Sequence, residues 1–131
     1  MTSIHETAPP AGEPILQVVA LPRHTNDFGD IPGGWVLAQM ELAGAVLARR
    51  IARGRVATVA VGGMGFMRPI PLGALVRFHA ELLETGRTSL QVGVEVWIDH
   101  EGLAEPAKVS EGHFWYVALG ADGRTRPLPD S

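Results

Sequence analysis

Residues 24–54 read HTNDFGDIPGGWVLAQMELAGAVLARRIARG, and the fold turns on how this stretch is understood. Its first part is polar and turn-rich, with Asn26, Asp27 and Asp30 crowded into one short loop. Gly33 and Gly34 follow where a helix should begin. From Trp35 to Ala52 there is no proline and a single glycine, Gly44. Arg49, Arg50 and Arg53 fall in the last turns, where positive charge suits the negative end of the helix dipole, and Gly54 is a natural stop. The stretch therefore predicts a helix from Gly33 to about Arg53, roughly 30 Å long. It is apolar nearly all round, so most of its sides must be buried. Glycines at its start leave the first-turn N–H groups open to a ligand. The dipole there favours a phosphate or an oxygen gaining negative charge. Glu41 stands inside the apolar run beside Met40 and Leu42, and a carboxylate in that company needs a reason.

Working outward, residues 15–21 (ILQVVAL) form a short apolar run between Pro14 and Pro22 and predict a strand. Residues 1–14 are polar and proline-containing and read as a flexible arm. After Gly54 the pattern changes to strands. Residues 56–61 are β-rich, and 64–68 extend them past a bend at Gly62-Gly63. Residues 75–83 and 90–98 alternate strictly. Val76, Phe78, Ala80 and Leu82 share one face, as do Leu90, Val92, Val94, Val96 and Ile98. Residues 108–119 make a last long strand, and 121–131 a tail. The order is strand, long helix, then about four antiparallel strands, within one domain over 15–120. That is an α+β arrangement in which one curved sheet must cover one helix. Trp97 and Trp115 fall on the outer sheet face, and strand edges stay open, so association with another copy is expected.

Composition removes several classes of function. The chain has 131 residues, a net charge of −3 and no basic block, which argues against nucleic acid. It has no cysteine, which excludes disulfides, thiolate catalysis and cysteine-bound zinc. His24, His79, His100 and His113 lack ligand spacing, so neither a metal nor a cofactor is expected. There is no G-x-S-x-G and no P-loop. Pro32, Gln39 and Glu41 argue against a membrane span within 31–48. The N-terminus lacks a basic region followed by an apolar one, so a cytoplasmic protein is expected.

The ordered set T-N-x-x-G-D-I-x-G-G-W, Gln39-Met40-Glu41, G-R-V-x-T-V-x-V, M-x-F-x-R-P and E-V-W resembles the YciA-type acyl-CoA thioesterases of the hotdog superfamily. The similarity runs from about Ile15 to Leu119. It implies a hotdog fold, a curved antiparallel sheet wrapped around a central helix. It also implies homodimers with active sites at the subunit interface, often assembled as trimers of dimers, and hydrolysis of acyl-CoA. Residue by residue, it puts the catalytic carboxylate at Glu41, where the family usually has Asp. The oxyanion donor falls at the N–H of Gly33 or Gly34. Asn26 matches a loop asparagine of related hydrolases, and Asp30 joins the site as a residue that positions the loop. Arg68 and the turn Arg87-Thr88-Ser89 match places where CoA is held. Gly62, Gly63 and Gly65 depart from the family's bulkier residues, and Pro32 from its usual aromatic; acyl preference is what these departures affect.

The residues also make a chemical case of their own. Thioester hydrolysis needs a group that activates water or attacks directly, and a donor for the developing oxyanion. Two other readings share the fold. A non-catalytic acyl-CoA-binding module has no need of Glu41. A dehydratase of hydroxyacyl thioesters expects a histidine near the helix start, and His24 is the nearest.

Overall fold

The computed structural model of the chain describes residues 8–130. Helix α1 (Gly33–Ala52) starts at the glycine pair. It ends where Arg53 turns left-handed, with φ 56° and ψ 46°, and closes its N–H onto the Arg49 carbonyl. Five strands follow the predicted order: β1 (Leu16–Val19), β2 (Val56–Phe66), β3 (Leu75–Thr85), β4 (Ser89–Asp99) and β5 (Ala107–Ala118). They form one antiparallel sheet in the order β1-β3-β4-β5-β2. Strand β1 is shorter than the apolar run suggested, and β3 runs two residues further than its alternation did.

The alternating positions make the core. Val76, Phe78, Leu90, Val92, Val94, Val96, Phe114 and Tyr116 are all buried against Met40, Ala43 and Ala48 of α1. Small residues on α1 bring the helix close to the sheet; at Gly44 an added Cβ would overlap the Tyr116 hydroxyl. Leu82 belongs to the inward set by spacing, yet it is exposed. A register shift between Leu82 and Glu84 lifts the end of β3 off the core. The bend expected at Gly62-Gly63 is an irregularity within a single strand. The register of β2 on β5 shifts between Gly62 and Gly65, and Gly63 takes φ 59°, a left-handed value that suits glycine. Met64 packs from there onto the core, filling the space over Gly112 where a Cβ would collide with its sulfur.

The outer sheet face differs from expectation. Trp97 is only 2% exposed. Pro9, Pro10, Gly12 and Pro14 line a cleft with Arg77, His79, Trp97 and Pro106, so this part of the N-terminal arm lies beside the sheet. Residues 1–7 of the arm, and Ser131 of the tail, are outside the described residues. Beneath the arm, His79, Glu95 and Glu111 pair across β3, β4 and β5. Two carboxylates directly opposite each other are unfavourable. Lys108 offsets this, with its Nζ 2.5 Å from Glu111 and 3.8 Å from Glu95. The Trp97 indole N–H donates to Glu95 at 2.9 Å. At the other end, Arg126 donates to the Ala52 and Leu119 carbonyls and so closes the C-terminal end of α1.

Candidate active site

The start of α1 is open. Its N-cap is Pro32, with no side-chain cap. The Pro32 carbonyl accepts from the Trp35 and Val36 N–H groups. The N–H groups of Gly33 and Gly34 come before the first intrahelical bond and point out of the helix end. Both glycines are exposed, and nothing crowds Gly34. The Phe66 ring lies 3.5 Å from where a Gly33 Cβ would sit, and walls one side of this helix end.

The preceding loop is folded by Asn26. Its Oδ1 accepts from the Phe28 N–H at 2.9 Å and the Asp30 N–H at 3.1 Å. Its own N–H donates to the Asp30 carbonyl at 2.8 Å. This is a side-chain-closed turn, and it uses the amide oxygen while leaving the amide NH2 to donate elsewhere. Asp30 contributes backbone to the turn, and its side chain is on the surface. Phe28, at the loop tip, is 89% exposed. The sequence reading passed over it, although a lone aromatic in a polar loop is itself a signal.

Glu41 is half-buried on α1 and faces β2, where the Thr58 hydroxyl donates to its Oε2 at 2.6 Å. Thr58 was also passed over; it is the single polar side chain of VATVAV. Eight residues of helix separate Gly33 from Glu41, about 12 Å of rise, so the donor and the carboxylate of one chain do not touch. Arg68 lies near the helix start. It lines a mostly apolar cleft of about 460 Å³ with Asp30, Ile31, Ile70 and Leu103. Arg87, Thr88 and Ser89 form the β3–β4 turn at the opposite end of the sheet. Phe66 pairs with Ser110 and Ser89 with Val117, seven residues along β5, which is roughly 24 Å of strand. A single chain therefore gathers Asn26, Asp30, Gly33, Gly34 and Arg68 at one end, and holds Glu41 toward the end that carries Arg87 to Ser89, because its partners Thr58 and Tyr116 lie one residue from the Ser89–Val117 pair.

His24 stacks on Trp35 with ring centroids 4.8 Å apart. Its Nδ1 accepts from the Leu21 N–H at 3.1 Å, so the proton sits on Nε2 and the ring has no lone pair left for a base. The dehydratase reading loses its residue. Among the described residues, no cluster of three or more His, Asp or Glu side chains could hold a metal ion, and no helix is long and apolar enough to cross a membrane.

Residues 28–105 match the family profile of the thioesterase superfamily. The acyl-CoA thioester hydrolase YciA of Salmonella typhimurium is 44% identical, with 98% of each chain covered. Its namesake in Escherichia coli is 41% identical over the same share. A solved hexameric broad-specificity acyl-coenzyme A thioesterase superposes with a TM-score of 0.87 at 40% identity, covering 95% of this chain and 86% of that one. A hexameric thioesterase of Yersinia pestis gives 0.86 at 40% identity, covering 93% and 99%. A long helix under a five-stranded antiparallel sheet, opened at a glycine pair and carrying one carboxylate, is thus a hotdog, and the chain belongs to the thioesterase superfamily.

Proposed function

We propose that this chain hydrolyses acyl-CoA thioesters to free CoA and a carboxylic acid, with Glu41 as the reacting carboxylate. The observation that carries the reading is the Thr58–Glu41 hydrogen bond on a helix with no other carboxylate. The relatives' activity supports it. The thioester oxygen accepts from the N–H of Gly33 or Gly34, donors already fixed before charge develops. Glu41 either draws a proton from water or attacks the carbonyl carbon itself. In the first route the water oxygen bonds to the acyl carbon and the C–S bond breaks; in the second a Glu41 oxygen does so, and water then cleaves the resulting anhydride to release the acid and restore Glu41. In both the leaving thiolate takes up a proton. The Asn26 amide NH2 is a further donor toward the substrate, and Asp30 holds that loop in place. Arg68, and Arg87 with Thr88 and Ser89, hold the phosphates of CoA.

A two-fold dimer completes the site. Strand β2 is the last in the sheet, and Val59 and Val61 on it are exposed. A two-fold axis through the middle of β2 lays Phe66 of one chain beside Val56 of the other. The helix start of one protomer then comes level with the partner's Thr58 and the partner's Glu41. The same operation carries the partner's Arg87 toward Arg68. Three such dimers make the hexamer seen in the solved relatives. The reading includes a cytoplasmic location, because a CoA thioester carries phosphates that do not cross a lipid core unaided.

Free-thiol release measured over a panel of acyl-CoAs is the test. Turnover by the native chain, lost in Glu41→Gln, supports the proposal. Binding of acyl-CoA by both without thiol release would make the chain a binding module.

A further inference from the structure

We propose that the Tyr116 hydroxyl is a positioning group for Glu41, admitted to the helix by the notch at Gly44. The inference rests on the reading of Glu41 as the reacting carboxylate. Tyr116 is wholly buried on β5, and its hydroxyl donates to the main-chain carbonyl of Glu41 at 2.8 Å. That carbonyl has a second lone pair beyond its place in the helix ladder, so the bond adds to the helix without breaking it. Tyr116 and Thr58 are cross-strand partners in the β2–β5 register. Two paired residues on neighbouring strands thus grip one helical residue. Thr58 takes the carboxylate, and Tyr116 takes the backbone that carries it.

Apolar packing restrains α1 without a directional bond. A hydrogen bond to the backbone at Glu41 adds a directional restraint on its rotation and slide. Gly44 is the matching feature: a Cβ there would overlap the hydroxyl, with the ring carbons Cζ and Cε1 next at 3.2 and 3.3 Å. Burial, with the nearby Glu41 charge adding to it, raises the pKa of Tyr116, so the hydroxyl remains a donor across the working pH range. A helix displaced by a fraction of an ångström moves the Glu41 carboxylate relative to the thioester, and misplacement of reacting groups is costly in rate.

Four variants and Glu41→Gln test this by kcat, KM and melting temperature. Tyr116→Phe should lower kcat about tenfold and leave KM nearly unchanged. Gly44→Ala should lower the melting temperature. Adding Tyr116→Phe to it should recover part of the melting temperature, since the overlap with the hydroxyl goes while the ring carbons stay close, and kcat stays at the level of Tyr116→Phe alone. Val94→Ala, a core truncation on β4 away from Glu41, should lower the melting temperature and keep kcat. Wild-type kcat in Tyr116→Phe beside an inactive Glu41→Gln would overturn the proposal and leave the catalytic reading standing. An equal loss of kcat in Val94→Ala would overturn it too, by showing a general effect of core damage. Wild-type turnover in Glu41→Gln would remove the reading on which it rests.

Discussion

Glu41 and Glu95 each sit on a largely apolar element, and their surroundings differ in kind. Glu95, on the outer face of β4, is 2% exposed and surrounded by a donor and a cation, the Trp97 indole and Lys108. The Glu41 carboxylate accepts from Thr58 and keeps a side open beside the exposed edge of β2. A carboxylate enclosed by its partners is held for structure. One held on a single side and left accessible on the other can meet a substrate. The same contrast runs through the sheet: β4 is buried along most of its length, whereas β2 exposes Val59, Val61 and Phe66.

The contrast breaks first at Glu41. Glu41→Gln should lower kcat by ~10²–10⁴-fold, the range for loss of a general base, while the melting temperature stays close to wild type. Asp30→Asn should cost far less, because Asp30 serves the loop through its backbone. The reverse ranking would exchange their roles. On the outer face the pattern inverts. Lys108→Met leaves Glu95 and Glu111 opposed, and should destabilise the fold by about 3 kcal/mol with kcat unchanged. Chemical denaturation and turnover on the same sample read both.

Thr58→Val sharpens the comparison at smaller scale. It removes the donor while keeping the shape, and should lower kcat roughly tenfold with little change in KM, as expected when a reacting group loses its orientation. The smallest effect is on pH. Burial, and then the Arg77 charge, lower the His79 pKa from 6.5. The unfolded chain therefore takes up the proton first, and His79 contributes stability above pH 6.5 that is lost as pH falls through the lowered value. Glu95 acts with the opposite sign further down. Burial raises its pKa from 4.5, so its contribution is lost as pH rises through the raised value. A melting-temperature profile on the acid side of pH 6.5 should be flatter in His79→Gln than in the wild type. Parallel profiles would remove His79 from the account.

The helix and the alternating strands were legible because period 3.6 and period 2 are written in the side chains. The glycine pair and Glu41 stood out for the same reason, as exceptions to a pattern. Thr58 did not, since a threonine in a β-rich run breaks no rule, and its partner is 17 residues away. Trp97 misled because alternation gives the face of a strand without what covers that face. Here Pro9, Pro10 and Pro14 of the N-terminal arm line one cleft with it. Arg68 and Arg87 both match places where the resembled family holds CoA, and register puts them at opposite ends of the sheet of one chain.

In the proposed dimer the helix start of one chain and the partner's Glu41 form one site. Two variants that remove different groups test it directly. Glu41→Gln lacks the carboxylate. Gly33→Pro lacks one of the two helix-start donor N–H groups, at the helix position that best tolerates proline. Each chain carries its own tag, and species holding both are purified and assayed for thiol release. In a mixed dimer one site bears both changes and the other neither, so about half of wild-type turnover should return. No recovery in the doubly tagged species, with each parent inactive, would contradict the shared site and place both groups within one chain.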